Sequence, residues 1–397
     1  MRPVLLLAAV LACCAPRVGA DATAAAAGTV RFFKIANPAF DRYTESPTPA
    51  DQDWMRSHYW RMLTYSPYFD TRLSWFPDAW VYKDLYAIYV GSALATQHPE
   101  WILRDAGGNP LYIPYQCAGG RCPQYAGDVG SAAFRSSWMS DASALLAKGY
   151  RGLFIDDVNM TLSRIADGSG LPVAPIDPRT GVAMTQADWR SYMAQFTADI
   201  RAAFPQAELA HNALWFIGHD DPSVQRELAS ADVINIENGP TDSNIQPGSG
   251  PYGFDTFLSH IDWLHTQGRD VLLDGGSGSR RGREYGLAVY FLVDAGGDAV
   301  GNDHRSDPRR WWSGYDVSLG AAVGARYAWN GLLRRDFQYG FVLVNPPGAP
   351  TVRVALGGAY RNTSGRWRTS VNLRQATGAV LSTPPPGSAS RGVPDAG

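Results

Sequence analysis

Gly149-Tyr150-Arg151-Gly152-Leu153-Phe154-Ile155-Asp156-Asp157-Val158-Asn159 is an apolar run that ends abruptly in two carboxylates and an amide. A strand that leaves a core and terminates in acids is how a parallel β/α enzyme presents chemistry at the carboxyl end of its sheet. Just upstream, residues 131–148 place Phe134, Trp138, Met139, Ala142, Leu145 and Leu146 at helical spacing and stop at Gly149. Helix followed by strand is the α/β rhythm.

Working outward on the carboxyl side, a Gly/Pro-rich insert over 167–181 precedes a helical pattern at 188–204 and a β-rich run at 208–215. Helices at 221–229, 254–266 and 284–294 then alternate with strands at 233–237, 271–274 and 299–303. On the amino side the β-rich runs are 30–35, 85–90 and 111–115, which brings the expected strands to eight. Eight strands with intervening helices are what a (β/α)8 TIM barrel requires, here over residues 28–325, although a doubly wound open sheet produces a similar string. Polar residues at the ends of different strands favour the barrel: Asp156, His211 with Asn212, Glu237, Asp274, and Asn302 with Asp303 and His304. Beyond it, Phe341-Val342-Leu343-Val344-Asn345 and the alternating Val352, Val354 and Leu356 predict a small antiparallel β domain over 326–382. Residues 383–397, dominated by Pro, Ser, Gly and Ala, read as a flexible tail.

Net charge is −2 and no block of like charges occurs, so neither nucleic acid nor an anionic membrane surface is an expected partner. Met1-Arg2-Pro3 followed by an apolar segment over 4–12 is too short to span a bilayer and reads as a secretory signal over 1–20, cleaved after Val18-Gly19-Ala20. Alternatively, Val10-Leu11-Ala12-Cys13 forms an imperfect lipobox, and Cys13 carries a lipid anchor, the one route to a membrane. Either reading places the mature protein outside the cytoplasm, secreted or at the periplasmic or outer surface. There, Cys117 and Cys122 in a Gly-rich loop are expected to form a small-loop disulfide. The pair lacks the further ligands of a zinc site, and no metal is expected.

Successive side chains of a strand alternate faces, so Phe154 and Asp156 share one side while Leu153, Ile155 and Asp157 share the other. The helix-facing set must be apolar, which leaves Asp156 pointing into the barrel mouth and Asp157 as a brace. Identical parity on Val233-Ile234-Asn235-Ile236-Glu237 turns Asn235 and Glu237 inward. Two strands thus each aim one carboxylate at the mouth, and a carboxylate pair flanking a sugar suffices for glycosidic hydrolysis. A single strand-end acid more often caps a helix or pairs with an arginine; the combination of Asp156 with Glu237 is what nominates catalysis. Asp157, Asn159, His211, Asn212, Asn235, Asp274 and Asp303 are the expected supporting residues.

Gly152-Leu153-Phe154-Ile155-Asp156-Asp157-Val158-Asn159 resembles the G-x-F-L-D-N-V-D strand of glycoside-hydrolase-114-like barrels and of glycosyl hydrolase-like family 15. Arg335-Asp336-Phe337-Gln338-Tyr339-Gly340-Phe341-Val342-Leu343-Val344-Asn345-Pro346 is similar to the β extension that follows such barrels. The resemblance implies that Asp156 and Glu237 are the catalytic pair and that the substrate is an α-linked or amino-sugar polysaccharide. Asp157 and Asn159 depart from the family's Asn and final Asp, which bears on substrate more than on fold.

Thirteen tryptophans suit a carbohydrate ligand, since aromatic faces stack on sugar rings as well as filling cores. Trp75, Trp80, Trp215, Trp311 and Trp312 fall in or beside predicted loops and are the expected substrate contacts. No G-x-S-x-G elbow, P-loop or H-E-x-x-H occurs, and no cofactor is expected. Two functions compete: an exported glycoside hydrolase acting on a polysaccharide, and a carbohydrate-binding surface protein that keeps the barrel without turnover.

Overall fold

The computed structural model describes residues 28–383 except 37, 276–277 and 302–305. The expectations for the signal segment, Cys13, Asn302, Asp303, His304 and the tail from 384 lie outside the described residues. In chain order the strands are β1 (Phe32–Ile35), β2 (Arg61–Thr64), β3 (Ala79–Asp84), β4 (Ala87–Tyr89), β5 (Gln124–Ala126), β6 (Gly152–Val158), β7 (Glu208–Ala213), β8 (Val233–Glu237), β9 (Asp270–Asp274) and β10 (Ala299–Gly301). Helices are α1 (Pro38–Thr44), α2 (Pro49–His58), α3 (Ala93–Gln97), α4 (Ala132–Leu146), α5 (Gln186–Ala203), α6 (Pro222–Ser230), α7 (Phe254–Thr266) and α8 (Arg280–Val293). Eight parallel strands close a barrel in the order β1-β10-β9-β8-β7-β6-β3-β2, which is the TIM fold.

Two of the eight barrel strands are not the expected ones. Residues 85–90 contribute instead to a two-stranded antiparallel β4–β5 sheet outside the barrel, and 111–115 form a loop bridged at Tyr112 to Tyr125 and to Ala166. The positions they were expected to fill belong to β2 and β3. β2 has four residues and opens on a charged one, Arg61, and β3 closes on Lys83 and Asp84, so neither advertises itself as a buried strand.

Side-chain alternation fills the lumen. Phe33, Leu63, Trp80, Phe154, Ala210, Val233, Leu272 and Ala299 form one cluster inside the barrel, so it is a packed core rather than a pore. Gly152 starts β6 because a Cβ there would lie 2.0 Å from the Glu208 carbonyl oxygen of β7. At the barrel's amino-terminal end the Glu208 carboxylate accepts four bonds of 2.8 Å, from Arg61 Nε and Nη2, Trp80 Nε1 and Arg151 Nε. Burial alone would raise this carboxyl, but the Arg61 guanidinium, the Trp80 indole and Arg151 hold it down at about 2.

The long segments that follow β3 and β6 build a wall on one side of the barrel mouth. Tyr112 and Ala166 exchange backbone bonds of 2.8 and 2.9 Å, and Ile176 N donates to Arg104 O at 2.8 Å. Arg179 ties the two segments again, reaching Asp128 at 2.9 Å and Asp177 at 2.8 Å. A Cys117–Cys122 disulfide closes the tip of the wall.

After the barrel come β11 (Tyr327–Trp329), β12 (Leu332–Phe337), β13 (Gly340–Asn345), β14 (Val352–Asn362), β15 (Trp367–Leu373) and β16 (Thr377–Ser382). They form one antiparallel sheet in the order β11-β12-β13-β16-β14-β15. One of its faces, carrying Val342, Val344 and Val380, joins the core around α8. Arg335 Nη1 donates to the carbonyls of Phe291 at 3.0 Å and Asp294 at 2.8 Å, satisfying acceptors at the end of α8.

Candidate active site

The inward faces of four adjacent strands converge above the lumen. From bottom to top β7 presents Glu208, Ala210 and Asn212, β6 presents Phe154 and Asp156, β8 presents Val233, Asn235 and Glu237, and β3 presents Trp80 and Tyr82. Over them opens a cleft of about 820 Å³ lined by Asp156, Glu237, Asn212, Asn235 and Tyr82, among others.

Three donors fix Asp156. Tyr82 Oη donates to Oδ2 at 2.8 Å, and Asn212 Nδ2 and the Asp157 N–H donate to Oδ1 at 2.7 and 2.9 Å. The Oδ1 of the same Asn212 amide accepts from Asn235 Nδ2 at 2.8 Å. Since an amide oxygen only accepts and an amide nitrogen only donates, Asn235 locks the orientation in which Asn212 donates to Asp156. Glu237 is open to the cleft, yet the surrounding walls desolvate it and the negative Asp156 repels its charge. Both raise its carboxyl above the ordinary value of 4.5, against opposing contributions from Asn212 and Arg164. A raised carboxyl beside a hydrogen-bonded one is the environment that separates an acid from a nucleophile.

Strict alternation fails at Asp157. Pairing between β6 and β7 slips between Ile155 and Val158, and Asp157 adopts φ 56°, so its side chain turns back to line the cleft instead of facing the helices. Asn159 Nδ2 donates to its Oδ1 at 2.8 Å. Behind it sits Asp84, the last residue of β3, only 8% exposed. Burial, then the charges of Asp157 and Asp156, push the Asp84 carboxyl well above the usual carboxylate range.

Of the other expected residues, Asn159, Asn235 and Asp274 line the cleft. His211 does not. It pairs in register with helix-facing Ile155, is fully buried, and its Nδ1 meets Glu227 of α6 at 2.8 Å. Among the tryptophans, Trp215 lines the cleft, buried against Phe257. Trp80 lies deep in the lumen bonded to Glu208, where no substrate reaches. Trp75 packs on Phe69 and Phe76, Trp311 on Phe32 and Trp54, and Trp312 on Tyr315 with the Arg283 guanidinium over its ring, all away from the cleft lining. Exposed aromatic faces come instead from Tyr65, Tyr89 and Tyr115, which the sequence reading passed over together with Tyr82 and Asp84. Among the described residues no cluster of three or more His, Cys, Asp or Glu is arranged to hold a metal ion.

Comparison with solved structures finds glycosidase barrels at low identity. The glycoside hydrolase domain of PelA from Pseudomonas aeruginosa is 16% identical over 74% of this chain and 98% of that one, with a TM-score of 0.43. The isomalto-dextranase of Arthrobacter globiformis T6 complexed with panose is 14% identical over 91% and 74%, with a TM-score of 0.49. An α-galactosidase from Thermus thermophilus in complex with stachyose is 14% identical over 71% and 63%, with a TM-score of 0.46. No curated protein matches the chain in sequence. The family comparison is direct: residues 61–341, well over half of the chain, match a single family, and the chain belongs to hypothetical glycosyl hydrolase family 15.

Proposed function

We propose that this protein is an exported glycosidase that cleaves a polysaccharide, with Glu237 as general acid/base and Asp156 as the nucleophilic or charge-stabilising carboxylate. One observation carries the reading: Asp156 and Glu237, from different strands, face one cleft, with the Asp156 charge raising the carboxyl of Glu237. We assign the pair to the retaining route, in which the second carboxylate attacks the anomeric carbon directly. Glu237, raised by its surroundings, gives its proton to the leaving oxygen as Asp156 attacks; it then takes a proton from the water that releases the sugar. The faces of Tyr65, Tyr89 and Tyr115 offer stacking surfaces for sugar rings. Export is supported by the apolar amino-terminal segment and by the disulfide.

The test is a screen of the purified protein against a panel of polysaccharides, with the anomeric configuration of first-formed products read by NMR. Asp156→Asn and Glu237→Gln should each cost at least about a thousandfold in turnover. Full activity in both variants on a glycan that the wild type cleaves would sink the assignment.

A further inference from the structure

Asp84, buried behind Asp157, is a carboxyl that the proposed chemistry leaves without a task. Its Oδ1 accepts the backbone N–H groups of Tyr86 at 2.9 Å and Ala87 at 2.6 Å. Its Oδ2 has no N–H or O–H donor although the residue is buried. Asp84 pairs in register with Asp156, so Asp157, the next residue on that strand and turned by its positive φ, brings a second carboxyl up beside it. Two oxygens that both only accept cannot bond each other, whereas a carboxylic acid and a carboxylate form a short, strong bond.

Asp157 stands between this contact and Asp156. Its φ of 56° is a conformation that a non-glycine residue holds only where its surroundings over-determine it. In that conformation its N–H meets Asp156 Oδ1 at 2.9 Å. Its side chain is pinned from one side by Asn159 at 2.8 Å and from the other by Asp84. We propose that Asp84 and Asp157 share one proton, carried by Asp84 and donated to Asp157, and that this bond makes Asp84 a positioning residue for Asp156. The positioning role rests on Asp156 being a reacting carboxylate; the shared proton does not.

The charged and titratable groups around the pair are Asp156 on β6, Tyr86 and Tyr89 after β3, and Arg164 after β6. Lys83 turns away toward Asp141 of α4, 3.7 Å from its Nζ. The folded protein therefore holds a proton that the unfolded chain releases above the ordinary aspartate value of 3.8. A raised acid makes the native state bind more protons than the unfolded one, so stability falls as pH rises through that window.

Asp84→Asn supplies a permanent N–H donor to Asp157 while keeping an acceptor for Tyr86 and Ala87, and so imitates the protonated acid. Asp84→Ala removes both. In urea unfolding of the full chain between about pH 5 and 8, the wild-type midpoint should fall with pH more steeply than that of Asp84→Asn. In turnover, Asp84→Asn should stay within about threefold of wild type and keep activity further into the alkaline range, while Asp84→Ala should lose at least about tenfold in kcat with little change in KM. Equal slopes for wild type and Asp84→Asn overturn the shared proton whatever turnover does. Different slopes with Asp84→Asn as inactive as Asp84→Ala overturn the positioning role. A wild type that cleaves no glycan removes the hydrolase reading and the positioning role with it, while the slopes still decide the proton.

Discussion

Replacing Glu208 by glutamine tests whether the barrel is closed at its amino-terminal end by charge. Its carboxyl, three-quarters buried, receives two bonds from Arg61 and one each from Trp80 and Arg151, all at 2.8 Å. It is thereby held at about 2 against an ordinary 4.5. At about 1.4 kcal/mol for each tenfold in proton affinity, that difference corresponds to roughly 3 kcal/mol of stability at neutral pH. The sign follows from a lowered acid: the stabilisation is complete above the unfolded value of 4.5 and is lost as pH falls through the folded value near 2. Glutamine keeps the shape and loses the charge, leaving the Arg61 guanidinium, only 5% exposed, with Asp78 at 3.5 Å as its nearest remaining anion. The variant should unfold in urea at a midpoint on the order of 1 M below wild type at pH 7. That gap should close as the buffer approaches pH 2. A gap that persists unchanged in acid, or none at neutral pH, would refute the reasoning, because either result separates the stability from the ionisation of this carboxyl.

Two further outcomes concern the cleft. Tyr82→Phe removes the 2.8 Å donor to Asp156 Oδ2 and nothing else, so kcat should fall about ten- to a hundredfold, the worth of one hydrogen bond to a charged group, with the urea midpoint unmoved. An unchanged kcat would show that Asn212 and the Asp157 N–H suffice. Glu237 should titrate above 4.5, and in Asp156→Asn, where the repelling charge is gone, its carboxyl resonance should titrate at lower pH than in wild type; an upward move would contradict the electrostatic coupling of the two acids.

The half of the barrel that carries the chemistry was readable because its strands obey two simple periods. On β6 and β8 the alternation of Leu153/Phe154/Ile155/Asp156 and Ile234/Asn235/Ile236/Glu237 separates helix-facing from lumen-facing residues without help from tertiary context. The same rule, applied to Asn212 and His211, would have placed only the first in the cleft; His211 shares its parity with Ile155 and satisfies Glu227 instead. The other half was obscured by competition. The runs at 85–90 and 111–115 look more strand-like than Arg61–Thr64, because β propensity measures fit to a pleated, half-buried surface and the wall offers such a surface too. Missing β3 hid Tyr82 and Asp84, which touch the acids directly. No periodicity could announce the left-handed turn at Asp157, where the pairing of β6 with β7 slips and the Asp156 carboxylate and Asn159 amide hold the residue. Trp80 misled because a bulky aromatic in an unassigned stretch reads as a loop residue when it is in fact lumen packing.

The wall beside the cleft has a consequence for descent as well as for binding. Its two segments, joined at Tyr112 and Ala166 and again through Arg179, fasten chiefly to each other and carry Tyr89 and Tyr115 to the cleft. The acids and the amides that orient them belong instead to β6, β7 and β8, whose register the whole barrel enforces. Lengthening, shortening or restapling the wall can therefore change what the cleft admits while Asp156, Glu237 and the amides beside them keep their places. Within this family, divergence in diet should accumulate after β3 and β6 and leave the strand ends alone.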